Sequence, residues 1–294
     1  MLFIVTLVVF GVLHMAPGDP ALILAGPSEA TPAVLAQIRQ EWGLNDPVYV
    51  QYVRWAGRIV RGDLGLSMAY NKMPVADLLR VAVPKTLNLN LAAILFGLVV
   101  AVPAGVICAI RKYSLWDHAL SLLSLLGISM PSFWLALMMM ILFSVKLHWL
   151  PTAGATTWKH YVMPTIALGA ALAGGLAQII RSSVLEAISN DYVRTARAKG
   201  LTERTVLFKH VLKNAAIPIV TYLGYRVAYL MSGLVVVETV FAWPGMGRLA
   251  ADALFRRDYF VVQATVLVGA VTVVLANLLV DLLYGTLDPH IRYQ

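Results

Sequence analysis

The chain has 294 residues, 60% hydrophobic and 13% charged, with a mean hydropathy of +0.76. A soluble domain needs about a quarter of its residues charged to cover its surface, so these values exclude one. The formal charge of +8 and the single cysteine, Cys108, exclude little by themselves. The basic residues lie in short loops between apolar blocks, which orients a membrane protein rather than binding nucleic acid, and no intrachain disulfide can form.

Six apolar blocks follow in chain order: 1–15, 86–110, 119–145, 161–180, 215–237 and 260–283. Five reach the roughly 20 residues that a hydrocarbon core of about 30 Å requires of a helix. The first covers only about 22 Å and lacks a basic flank, so it is expected to be the truncated remainder of a first transmembrane helix. A secretory signal peptide is the competing reading, but neither a basic n-region nor a small-residue cleavage site precedes the turn Pro17-Gly18-Asp19-Pro20.

Residues 16–85 are nearly balanced in charge. They read as a partly helical lobe, with helical spacing over 32–42 and a break over 43–47. In the block 161–180, Gly169, Ala173, Gly174 and Gly175 stand in small-xxx-small spacing, which lets helix backbones approach closely. Pro103, Pro131 and Pro164 are expected to kink or break their spans. The loop 181–213 holds Arg181, Arg194, Arg197, Lys199, Arg204, Lys209 and Lys213 against Glu186, Asp191 and Glu203, and Arg111 and Lys112 lie on the same side by parity. Both loops are therefore expected in the cytoplasm, with both termini, which places the lobe outside. The domain reading is a first helix (1–15), an extracytoplasmic lobe (16–85), a five-helix core (86–285) that includes the loop 181–213, and a cytoplasmic tail (286–294).

The loop 181–213 predicts a short basic helix, a break at Gly200, then an amphipathic helix that leads into the fifth span. Gly200 can adopt the left-handed conformation that ends a helix. A protruding helix pair of this kind offers a soluble partner something to push on; an ordinary solvated basic loop is the alternative. The loop resembles the cytoplasmic motif of permease subunits of binding-protein-dependent ABC importers, which reads Glu-Ala-Ala, three residues, Gly, nine residues, Ile-x-Leu-Pro. Gly200, Ala196 and Leu212 match it, whereas Arg194, Thr195, His210 and Lys213 depart from it. The closer resemblance is to the B-type subunits of dipeptide/oligopeptide permeases, whose loop is similar to Tyr-Val-Arg-Thr-Ala-Arg-Ala-Lys-Gly-Leu. It extends over almost the whole chain, through Pro17-Gly18-Asp19-Pro20, Gly62-Asp63-Leu64-Gly65, residues 238–247 and residues 281–289.

The resemblance implies an all-α integral membrane protein with the six-transmembrane-helix type I ABC importer permease fold, in a prokaryotic cytoplasmic (inner) membrane. It implies a heterodimer with a homologous second permease, two cytoplasmic ATPase subunits, and an extracytoplasmic substrate-binding protein. Arg194, Thr195, Ala196, Arg197, Ala198, Lys199, Gly200 and Leu201 would form the coupling helix that docks in an ATPase. Asp19, Asp63, Glu238, Pro244, Gly245 and Gly247 would face the binding protein. The chain has no Gly-x-x-x-x-Gly-Lys-[Ser/Thr] loop, so it is not catalytic alone. ATP and Mg would belong to the partner ATPases, and no cofactor or metal is expected in this chain.

Arg226 lies near the middle of the fifth span, roughly 16 Å from each end. An arginine there costs about 2.5–3.5 kcal/mol on insertion scales and faces protein or water. The second, third and fourth spans hold no acid that could answer it. Tyr222, Arg226, Tyr229 and Gly233 share one helix stripe, with Tyr225 and Ser232 beside it. Tyr222, Arg226, Tyr229 and Ser232 are candidates to line a translocation path in which Arg226 meets an anionic group such as a peptide carboxylate. A structural pair with a carboxylate of the second permease, or a tyrosine-lined helix interface, remains open.

The function expected is transmembrane permease of an ATP-driven importer, for di- or oligopeptides, or with the same fold for glutathione, nickel or an oligosaccharide. A secondary transporter would need an ion-coupling site, and the mid-membrane region offers one arginine and no acid. An intramembrane hydrolase would need a nucleophile and base pairing that the sequence lacks.

Overall fold

The computed structural model describes residues 2–15, 20–25, 31–41 and 43–287. Side chains at 225–233, and several near the two ends of the chain, are not among those described. The chain divides into two compact units, Met1–Lys85 with Pro244–Thr272, and Thr86–Trp243 with Val273–Gln294.

In the first unit, α1 (Leu2–Met15) packs on α4 (Val48–Val60) through Phe10, whose ring centroid lies 5.5 Å from that of Trp55 and 5.4 Å from that of Tyr52. Between them come α2 (Pro20–Ala25) and α3 (Pro32–Glu41), the latter where helical spacing predicts it. Gly43 then turns the chain at φ 61°. The unit also holds the first turns of α5 (Val75–Ile110) and, from much later in the chain, α12 (Met246–Phe255) and the start of α13 (Tyr259–Leu287). Val75, Leu79, Ala253, Val261 and Ala264 form its buried core. Residues 244–272 therefore pack with the lobe, although the sequence reading assigns them to the five-helix core.

One carboxylate ties these distant segments together. Asp258 is fully buried just before α13, where its Oδ1 accepts from the backbone N–H of Val261 at 3.3 Å. Its Oδ2 accepts from the Ser67 hydroxyl and from the N–H groups of Met68 (2.9 Å) and Ala69 (3.0 Å). An N-cap acid thus also satisfies the donors of a turn about 190 residues earlier, and a buried carboxylate is tolerated because its lone pairs are filled.

The second unit is built around α8 (Lys159–Ser189), 67% of whose apolar window is buried, against 33% for α5. It packs on α5, on α6 (Leu115–Ser129), on α7 (Ser132–Met139) and on α11 (Leu212–Val240). Small residues make this possible. A Cβ on Gly174 would run into the carbonyl oxygen of Ser124 in α6, and one on Gly127 of α6 would lie 2.8 Å from the carbonyl oxygen of Ala170. These helices touch backbone to backbone, as small-xxx-small spacing predicts.

The third apolar block is not one straight span. The helix stops at Ser129, and α7, continued by a π-helix at Met140–Lys146, leaves at 105°. Pro131 bars the α conformation from the residue before it, and Met130 is extended at ψ 124°. Pro164 by contrast sits inside continuous α8, and α5 runs through Pro103. Among the described residues, α5, α8 and α13 are each long and apolar enough to cross a membrane, and the bent pair α6–α7 makes a fourth span if counted as one. Helix α11 is 29 residues long and α1 14.

Gly174→Ala places a methyl against a carbonyl that belongs to a helix backbone and cannot swing aside. We expect it to destabilise the chain by about 1–3 kcal/mol. Gly57→Ala in α4, where a Cβ meets nothing within 4 Å, should be neutral or stabilising, since alanine is the better helix former. Apparent Tm in detergent checks both; an unchanged Tm for Gly174→Ala would contradict the backbone contact.

Candidate functional site

After α8 the chain turns at Asn190 into α9 (Asp191–Ala198). Val193 and Ala196 are buried in the core of the second unit, while Arg194, Thr195, Arg197, Ala198, Lys199, Gly200 and Leu201 are exposed. Gly200 has φ 78°. Its N–H donates to the carbonyl of Arg197 at 2.9 Å, and the N–H of Leu201 donates to that of Ala196 at 3.4 Å. This pair of bonds is the Schellman closure, which needs a left-handed residue at Gly200.

Thr202 starts the return, accepting from the N–H of Thr205 at 3.4 Å as α10 (Glu203–Thr205) begins. A π-helix, Val206–Val211, connects it to α11. Across the turn Arg197 donates to both Glu203 oxygens, at 2.8 and 3.1 Å, and this bond holds the Glu203 carboxyl below the usual carboxylate range. The result is a protruding helix pair pinned at its tip. Of the eight residues expected to dock an ATPase, Ala196 faces inward and Arg197 is already engaged; Arg194, Thr195, Lys199 and Leu201 offer side chains outward.

A second ion pair supports this end of the second unit. Arg181 in α8 donates to both oxygens of Asp117 in α6, at 2.8 and 2.9 Å, and the Asp117 side chain is only 3% exposed. Asp117 also accepts from the N–H of Tyr113 (2.9 Å) and the hydroxyl of Ser121 (3.3 Å). Its own N–H donates to Ser114, the N-cap of α6. Sequence reasoning counts Arg181 as a loop cation. The available signal was Ser114-x-x-Asp117, a capping pattern ahead of an apolar run.

The residues expected to face a binding protein do not share one environment. Asp63 is exposed and accepts from the N–H of Gly65 at 2.9 Å, and Pro244 is exposed. Glu238 is a correction: it is fully buried in the second unit, where its Oε1 accepts from the Thr86 hydroxyl at 2.6 Å. An acid at the end of an apolar helix stays inside when a neighbouring helix supplies a donor. The backbone around it is also interior, with Trp243 buried edge-on to Tyr161 at 4.5 Å and Phe241 accepting from the N–H of Gly154. Gly245 and Gly247 are buried. Asp19 lies outside the described residues.

The expected path stripe is only partly visible. The Tyr222 hydroxyl fills the space that a Cβ on Gly175 would take, so Tyr222 contributes to the α8–α11 packing and is half-buried. The side chains of Arg226, Tyr229 and Ser232 lie outside the described residues. Among the described residues no three His, Cys, Asp or Glu side chains gather as a metal site.

Comparison with known proteins gives a consistent picture. Residues 101–293 match the family model of the binding-protein-dependent transport system inner membrane component, and residues 1–90 match the N-terminal model of such membrane components. The glutathione transport system permease proteins GsiC of Escherichia coli (strain K12) and of Shigella flexneri serotype 5b (strain 8401) are each 44% identical over all of this chain and 95% of their own length. Among solved structures, an inward-facing MetNI methionine ABC transporter matches with a TM-score of 0.60 at 20% identity, over 72% of this chain and 96% of that one. An amino acid ABC transporter matches at a TM-score of 0.54 and 18% identity, over 71% of this chain and 93% of that one.

Removing one partner of a buried pair strands the other. Arg181→Met leaves the Asp117 carboxylate buried, and we expect a loss of about 3 kcal/mol, read as a fall in Tm. Arg197→Ala, at an exposed pair, should leave Tm within error.

Proposed function

This chain belongs to the family of binding-protein-dependent transport system inner membrane components, and from that premise we propose how it couples and what it carries. It is a permease subunit of an ABC importer of the peptide type, held in the inner membrane, and is not catalytic on its own. Such a subunit works with a second permease, ATPase subunits and a binding protein.

Within that frame, 194–201 is the segment that receives the ATPase stroke. One observation carries this reading: the Schellman-closed helix pair, anchored inward by Val193 and Ala196 and presenting Arg194, Thr195, Lys199 and Leu201 outward. A pinned protrusion transmits a push, whereas a flexible loop would absorb it. ATP and Mg are bound by two ATPase partners, the second permease is a homologue that forms a heterodimer with this one, and both termini are cytoplasmic. The excess of basic residues over 181–213 supports that orientation. Asp63 and Pro244, the exposed members of the outer set, face the binding protein. Arg226, Tyr229 and Ser232 line the path, where Arg226 offers its charge to an anionic group on the cargo, while Tyr222 packs the same stripe against Gly175 of α8.

The cargo is a short peptide. Glutathione stands beside di- and oligopeptides as an equal reading, because the 44% identical relatives carry that name. A glutathione molecule and a dipeptide share the carboxylate that a mid-membrane arginine would meet.

Gly200→Val adds a side chain at a left-handed position with open space around it, so its effect is confined to the turn. A β-branched residue there forces the Schellman closure to open. We expect the purified complex to assemble but to lose most of its binding-protein-stimulated ATP hydrolysis; full stimulation would refute coupling through this turn. Arg226→Ala at unchanged expression should lower uptake of labelled dipeptide or glutathione at least tenfold. Uptake at the wild-type rate across all substrates would remove Arg226 from the path.

A further inference from the structure

A groove of about 530 Å³ lies in the second unit, between the end of α5, the end of α8 and the inner side of the protruding helix pair. Its walls are aliphatic and aromatic, chiefly Ile110, Leu185, Ile188, Leu207, Phe208 and Val211. Three cations and one acid stand at it: Lys112, Arg197, Arg204 and Glu203. Arg197 and Glu203 neutralise one another through their two-bond pair. Lys112 and Arg204 remain, and neither meets a carboxylate among the described residues; the Lys112 ammonium stands over the Tyr113 ring at 4.7 Å.

The level of the groove is marked independently. Tyr113, in the turn that follows α5, and Trp116, in the first turn of α6, are 73% and 58% exposed, beside Leu115 at 86%. Amphipathic rings displayed at the end of a membrane-length helix belong at the height of lipid headgroups. Phe208 is likewise exposed, at 61%, on the other rim. An apolar slot that opens at headgroup level, under two uncompensated cations, matches a molecule with an aliphatic tail and an anionic head.

We propose that this groove binds one anionic phospholipid, with its phosphate between Lys112 and Arg204 and an acyl chain along Ile188, Leu207 and Phe208. The bound lipid fills the space between the membrane helices and the protruding pair, and so stiffens the base of the lever. The proposal rests on the membrane placement of the chain, not on what it transports, so a failure of the cargo reading leaves it untouched.

The test is native mass spectrometry of the assembled transporter released from its membrane in mild detergent. The wild-type complex should keep one phosphatidylglycerol or cardiolipin more than Lys112→Ala/Arg204→Ala, with at least a fivefold drop in occupancy. After delipidation, micelles containing phosphatidylglycerol should restore the adduct and micelles of phosphatidylcholine should not. Ile188→Trp fills the slot while keeping both cations, and it should lose the lipid as well. A photoreactive residue in place of Phe208 should capture phospholipid. Equal retention in all three proteins, restoration by phosphatidylcholine, or capture of an ATPase or permease subunit at position 208 would each overturn the proposal.

Discussion

The second unit depends on how closely other helices can approach α8. Where Gly174 meets the carbonyl of Ser124 and Gly127 meets that of Ala170, nothing but backbone separates α6 from α8. Lipid chains are as apolar as leucine, so burial alone gives membrane helices little reason to associate; van der Waals contact along a tight seam does. The same seam sets the register of the charged end. With α6 and α8 locked, Asp117 and Arg181 meet in a two-bond pair, and the last turns of α8 project as the base of the protruding helix pair.

That pair is rigid for local reasons. Gly200 closes one helix, Thr202 starts the next, Arg197 bridges to Glu203, and Val193 and Ala196 fasten the first helix to the core. None of these contacts needs a partner subunit. A segment built this way is preorganised, and a docking protein spends little on ordering it. Within the first unit, Asp258 does comparable work by gathering the 67–69 turn and the start of α13 around one buried carboxylate.

Much of this is legible in the sequence where the causes are local. Apolar block length predicts α5, α8 and α13; small-residue spacing predicts the tight face of α8; a glycine between two amphipathic stretches predicts the turn at Gly200. What escapes is long-range pairing. Nothing near Ser67 announces Asp258, and nothing near Thr86 announces Glu238, which reads as a surface acid because it ends an apolar block. Pro131 signals a break but not its angle, because the angle is set by what α6 and α7 pack against. The path stripe is half legible for a related reason: spacing aligns Tyr222 with Arg226, but whether a tyrosine meets cargo or a glycine on the next helix depends on the neighbour.

The bend between α6 and α7 has a consequence for how the chain is made. Residues 119–145 form one continuous apolar stretch, long enough to enter the bilayer as a single straight span. Each arm of the bent form, 15 residues, is roughly 22 Å long, too short to cross alone. The corner at Ser129–Pro131 also exposes backbone groups that hydrocarbon cannot satisfy. Both arms pack against α8, which is synthesised after them. The bent form therefore draws its contacts from a helix that leaves the ribosome later, and the partner of both arms is absent until α8 has emerged.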